Sequence, residues 1–173
     1  MSTIEMSASP VKPSPAGGPE TAVRKSVVVH APIAHTFKVF TERFDTWWPR
    51  SHHIGKAEMR EAILEARPGG RWFERGVDGS ECDWGQVLEY APPHRLALSW
   101  HLGCDFQYDP DPSKASRVEV TFSDEGNGRT RVELVHSQLE RHGADWQKLR
   151  DSVSSNGGWG GIMEMFASAA VLA

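Results

Sequence analysis

The chain has 173 residues, 39% hydrophobic and 24% charged, with a formal net charge of −4; this is the composition of one globular domain that buries roughly 70% of its unfolded surface. Its longest basic run is the pair Arg24 and Lys25, so no nucleic acid and no membrane surface is expected as a partner. Cys82 and Cys104 are the only cysteines and no apolar leader is seen, so a cytoplasmic protein with reduced thiols is expected.

Residues 1–22 carry Pro10, Pro13, Pro15 and Pro19 among glycines and serines. Such a stretch cannot repay its ordering entropy and reads as a disordered tail ahead of a single domain over residues 23–173. Residues 23–30 (VRKSVVVH) are rich in β-branched side chains and predict the first strand. Pro32 suits the first turn of a helix whose apolar stripe is Ile33, Phe37, Phe40 and Phe44. Asp45 is positioned to cap a short second turn carrying Trp47 and Trp48, which Pro49 ends, and residues 50–55 (RSHHIG) form a loop. Residues 57–67 (AEMREAILEAR) combine helix-forming composition with turn signals on both sides, and are read as a strand.

Strands are further expected over residues 71–75, 81–90, 94–102, 117–123 and 129–137. The turns between them are Asp78-Gly79, Pro92-Pro93, the DPDPSK loop and Gly126-Asn127-Gly128. Residues 145–153 suit a short surface helix with Trp146, Leu149 and Val153 on one side. The final stretch, residues 155–173 (SNGGWGGIMEMFASAAVLA), repeats Trp159, Ile162, Met163, Phe166, Ala169, Ala170 and Ala173 at helical spacing, with Glu164 its one charge. It predicts a helix buried within the sheet, with Ser155 or Asn156 as cap. The order is α+β: a curved antiparallel sheet closing over one helix.

Alternation along the strands turns Thr130, Val132, Leu134 and His136 inward, with Val118, Val120, Phe122, Leu96, Leu98, Trp100 and Leu102. Trp72 and Glu74 share a face opposite Arg71, Phe73 and Arg75, so Glu74 and His136 remain as inward polar groups. A carboxyl beside an imidazole in an apolar cavity suits proton transfer, which makes Glu74 and His136 the candidate catalytic pair. The alternative is structural, with Glu74 paired to an arginine and His136 donating to a backbone carbonyl. His52 and His53 follow the Trp47-Trp48 pair and fit either a cavity mouth or a solvated loop. His101 and Cys104 lack a second ligand pair at zinc spacing, so no metal is expected. The absence of GxSxG, Walker-type and GxGxxG signatures leaves no expected cofactor.

Read together, the stretches VVVHAPIAHTFKVFTERFDTWWP, ARPGGRWFERGVDGSECDWGQVLEYAPPHRLALSW and RVEVTF…GRTRVELVH…GGWGGIMEMF resemble the heat-shock-protein-90 ATPase activator homologue-like family. That family lies within the START-like (SRPBCC) superfamily, which includes the birch-pollen-allergen fold. The resemblance spans residues 23–173 and implies a helix-grip fold: a seven-stranded antiparallel sheet around a long C-terminal helix, with two short helices after the first strand. It also supports a strand at residues 57–67.

The superfamily carries lipid carriers, hormone receptors, polyketide aromatase/cyclases and co-chaperones on one frame. The first expectation is therefore a binding protein for a small hydrophobic or aromatic ligand, with an accessory role in metabolism or stress response. Its cavity would be lined from Trp48, His53, Trp72, Trp84, Trp100, Trp159, Met163 and Phe166. The alternative is a cyclase, aromatase or dehydratase working through Glu74 and His136. A third reading is a chaperone-ATPase activator, which the lack of a separate chaperone-binding domain ahead of residue 23 disfavours. A homodimer through a sheet edge or the Phe73 face is a further expectation.

Overall fold

The computed structural model describes residues 21–171, so most of the proposed tail and the last two positions of the stretch expected to be helical, Ala173 included, lie outside the described residues. Seven strands form one sheet: β1 (Val23–Val29), β2 (Met59–Leu64), β3 (Arg71–Gly76), β4 (Glu81–Ala91), β5 (Arg95–Trp100), β6 (Ser116–Gly126) and β7 (Arg129–Ser137). Its order is β1-β7-β6-β5-β4-β3-β2, antiparallel throughout. Helices α1 (Ile33–Thr41), α2 (Trp146–Ser154) and α3 (Trp159–Ala170) accompany it. This is the expected α+β helix-grip arrangement.

The pleat decides what the sheet buries. Val118, Val120 and Phe122 of β6 pair with His136, Leu134 and Val132 of β7, and all six are buried. Each large apolar side chain so placed contributes roughly 1.5–3 kcal/mol. β5 departs from simple alternation, because Ala97 and Ser99 are buried along with Leu96, Leu98 and Trp100. The following segment accounts for part of this: His101 Nδ1 donates to the Asp109 carbonyl and stacks near Tyr108, while Ser99 Oγ accepts the Gln86 N–H. Phe73 is also buried, with the Arg71 and Arg75 guanidiniums 3.8 and 5.7 Å from its ring centre. Those arginines pair in turn with Glu61, Glu81 and Asp83.

β2 shows tertiary context overriding helix-forming composition: it pairs along β3, and an irregularity between Met59 and Glu61 leaves Met59, Ala62 and Leu64 buried. Asp45 does not cap the turn after α1. It lies inside a 3-10 turn at Phe44–Thr46, where its carboxylate accepts the Ala62 N–H at 2.7 Å. A donor on the free edge of a sheet needs an acceptor from outside the ladder, and Asp45 supplies one.

The long terminal helix is delivered as two arms, α2 and α3. α3 packs against β1 and α1 through Trp159, Ile162, Met163, Phe166 and Ala170. Glu164, Met165, Ser168 and Ala169 face outward, so the helix buries one face rather than its whole circumference, and Ala169 lies outside the stripe. Neither Ser155 nor Asn156 caps it; Gly158 occupies that position without a side-chain bond. The chain folds back so tightly there that a Cβ on Gly158 would meet the Val153 carbonyl oxygen at 2.4 Å.

Candidate functional site

A cleft of about 320 Å³ opens between the α2–α3 bend, the loop after α1 and the inner sheet face. Trp48, Trp84, Trp100 and Trp159 wall it, with Ile54, Leu102, Phe106, Val153 and Ile162 adding apolar surface. His52, His53, Ser51 and Ser152 supply its polar side chains, and none of the lining residues carries a formal charge. Of the residues expected to line a cavity, Trp48, His53, Trp84, Trp100 and Trp159 are brought together here. Trp72, Met163 and Phe166 are instead packed behind or beside it, Phe166 within 5.0 Å of Phe40 and 5.2 Å of Trp47.

The indoles form a closed circuit. Ring centres run Trp48 to Trp84 at 5.2 Å, Trp84 to Trp72 at 5.5 Å, Trp72 to Trp100 at 5.7 Å, Trp100 to Trp159 at 5.8 Å and Trp159 back to Trp48 at 6.0 Å. All five contacts are tilted or edge-to-face, the arrangements that the ring quadrupole favours.

A buried indole N–H needs an acceptor, and here the two sequence-predicted catalytic residues provide them. Glu74, 1% exposed, accepts Trp84 Nε1 at 3.1 Å together with the Ile54 and Gly55 backbone N–H groups at 2.6 and 3.1 Å. Three N–H donors thus occupy the place that the structural alternative assigned to an arginine. His136, fully buried, accepts Trp159 Nε1 on Nδ1 at 3.0 Å. An indole nitrogen only donates, so neutral His136 carries its proton on Nε2 and gives it to Ser116 Oγ at 2.8 Å. The Ser116 hydroxyl then donates to His142 Nε2 at 2.7 Å. Burial first, and the nearby His142 second, push the His136 pKa down to about 3. Burial first, then His101, bring His142 to about 4.

Glu74 and His136 are not hydrogen-bonded to each other and neither lines the cleft; β4, β5 and β6 separate their strands in the sheet. Trp72 donates to the Ser99 carbonyl and Trp100 to the Leu102 carbonyl, both at 2.8 Å. Trp48 Nε1 is buried without an acceptor among the described residues.

At the rim, His52 donates from Nε2 to the Gly157 carbonyl and receives the Ser51 hydroxyl on Nδ1. His53 donates from Nδ1 to the Gly55 carbonyl at 2.8 Å. Phe106 was not singled out by sequence; its one signal is an aromatic side chain within a polar loop. It holds φ at 57°, a conformation costing on the order of 1 kcal/mol for a bulky side chain. Among the described residues no group of three or more His, Cys, Asp or Glu side chains is placed to hold a metal ion. No helix among them is long and apolar enough to cross a membrane.

Residues 30–170 match the family described as Activator of Hsp90 ATPase homolog 1-like protein. An anthrahydroquino-γ-pyrone synthase, Txn09, solved complexed with SUM, is 43% identical, with 85% of this chain and 95% of that chain covered and a TM-score of 0.61. The self-sacrificing resistance protein CalC from Micromonospora echinospora is 31% identical over 86% of this chain and 93% of that one, with a TM-score of 0.64. CalU16 from the same organism, at 23% identity and a TM-score of 0.51 over 85% of this chain and 76% of that one, shares the fold. No curated protein sequence matches the chain.

Proposed function

This chain belongs to the Activator of Hsp90 ATPase homolog 1-like family, and on that premise we propose that it binds an uncharged, planar aromatic molecule of polyketide type in the tryptophan-walled cleft. The observation that carries this reading is the cleft itself: about 320 Å³, bounded by four indoles, with no charged side chain in its lining. That volume is at the small end of ligand sites. A charged ligand group entering it would lose hydration with no ion to replace the water, whereas a flat ring stacks or edges against indole faces. The likeness to an anthrahydroquino-γ-pyrone synthase supports an aromatic oxygen heterocycle as ligand.

Isothermal titration with methylchromone, a neutral bicyclic γ-pyrone, tests the reading, using Trp100→Ala as the second protein. Saturable binding to the wild type that weakens at least about tenfold in Trp100→Ala is expected from the loss of an aromatic wall. Equal heats from both proteins would refute it.

A second reading, favoured by the same synthase likeness and by imidazoles at the rim, makes the chain a ring-closing enzyme. In it Glu74 and His136 act as positioning residues, because their polar atoms are committed to Trp84 and Trp159.

A further inference from the structure

Four polar side chains line the cleft, and their hydrogen bonds separate them. Both ring nitrogens of His52 are engaged, with Gly157 and Ser51. Among the described residues, His53 is engaged on one side only. Its Nδ1 lies 2.8 Å from the Gly55 carbonyl, which only accepts, so the proton of the neutral ring sits on Nδ1 and the lone pair on Nε2. A carbonyl that fixes the tautomer of an imidazole in this way leaves the opposite nitrogen as the basic one.

The residue that bears this carbonyl is itself held. Glu74 clamps the Ile54 and Gly55 N–H groups from beneath. A Cβ at position 55 would sit 3.0 Å from Cys82 Sγ and 3.3 Å from Glu74 Oε2, so the Gly55 backbone lies close against the carboxylate. One buried side chain therefore sets both the Trp84 wall and the orientation of the rim imidazole.

Resting on the ring-closure reading, we infer that His53 is the proton carrier of the cleft, with Glu74 as its positioning residue, and that the substrate class is an aryl diketone bearing an ortho hydroxyl. His53 Nε2 takes the hydroxyl proton as that oxygen adds to the distal ketone carbon. A C–O bond forms, the carbonyl π pair moves to oxygen, and the resulting alkoxide takes the proton back from Nε2, giving a cyclic hemiketal. In the second passage Nε2 removes a proton from the adjacent methylene while the hemiketal hydroxyl departs as hydroxide, which receives that proton. The sum is loss of one water and closure of a γ-pyrone, with no change in oxidation state.

The test uses the full chain with ortho-hydroxybenzoylacetone, which closes to methylchromone, and compares wild type, His53→Gln and His53→Ala. Turnover should fall about 100-fold in His53→Gln while methylchromone affinity stays within about twofold, and free imidazole should restore rate to His53→Ala. His53 is exposed, so both variants are expected to fold. A His53→Gln rate equal to wild type overturns the assignment and leaves the ring-closure reading standing. A loss of affinity that matches the loss of rate, without rescue, makes His53 a wall residue and also overturns it. A wild type no faster than buffer overturns reading and assignment together.

Discussion

Acid should unfold this protein in part through one imidazole. Folded His136 holds its pKa near 3 against an ordinary value of 6.5, so between those values the unfolded chain binds a proton that the folded chain refuses. Stability contributed by the neutral ring is then full above pH 6.5 and is lost as pH falls toward 3. At pH 5 the gap from 6.5 is about 1.5 units, or about 2 kcal/mol. The geometry gives the same sign, since a protonated His136 would point an N–H at the Trp159 N–H. Urea unfolding of wild type and His136→Gln at pH 7 and pH 5 isolates the effect, because the low-lying His142 is common to both proteins. Wild type should lose about 2 kcal/mol more than the variant over that interval. Equal losses would show that folded His136 accepts a proton in this range, and would refute the tautomer assigned to the Trp159–His136–Ser116–His142 chain.

Glu74→Gln replaces one of two accepting oxygens by a donor facing backbone N–H groups, so urea unfolding should show a loss of about 1–3 kcal/mol; an unchanged midpoint would mean that loop 50–55 is held otherwise. Gly85→Ala would place a Cβ 1.8 Å from the Ser99 carbonyl oxygen of the neighbouring strand, and should cost about 3 kcal/mol or more in thermal unfolding. Gly157→Ala meets nothing nearer than 3.8 Å and should stay within about 0.5 kcal/mol of wild type; reversal of that order would sink the packing argument. The family name makes chaperone ATPase a direct assay of the partner reading: purified chain should leave the rate unchanged if the cleft is its working part, and a saturable increase would establish a chaperone partner instead.

Much of this architecture was legible because burial and alternation agree along β6 and β7, where the inward set read from sequence is the buried set. Composition misleads at β2, whose strand state comes from pairing with β3 and from the distant Asp45 carboxylate. Glu74 and His136 stand out as inward polar groups, but period-two reasoning cannot say what they meet. Their partners, Trp84 and Trp159, come from another strand and from a helix, and only the closed fold supplies those contacts. The cleft's boundary follows the same logic. Trp48, Trp84, Trp100 and Trp159 differ from Trp72, Met163 and Phe166 in depth, not in sequence signature. Phe106 escapes because a positive φ in a loop leaves no periodic trace.

The indole circuit has an optical consequence. Rings about 5 to 6 Å apart couple their electronic transitions, so light absorbed at Trp48, Trp72, Trp84, Trp100 or Trp159, or at Trp47 with its ring centre 5.9 Å from that of Trp48, is shared among all six before it is emitted. The near-ultraviolet circular dichroism of the protein should therefore be dominated by the cluster's handed arrangement rather than by separate chromophores. A single electron-poor guest touching any one wall would quench the whole set. Trp146, on α2 with the Arg150 guanidinium 5.2 Å from its ring centre, stands outside the circuit.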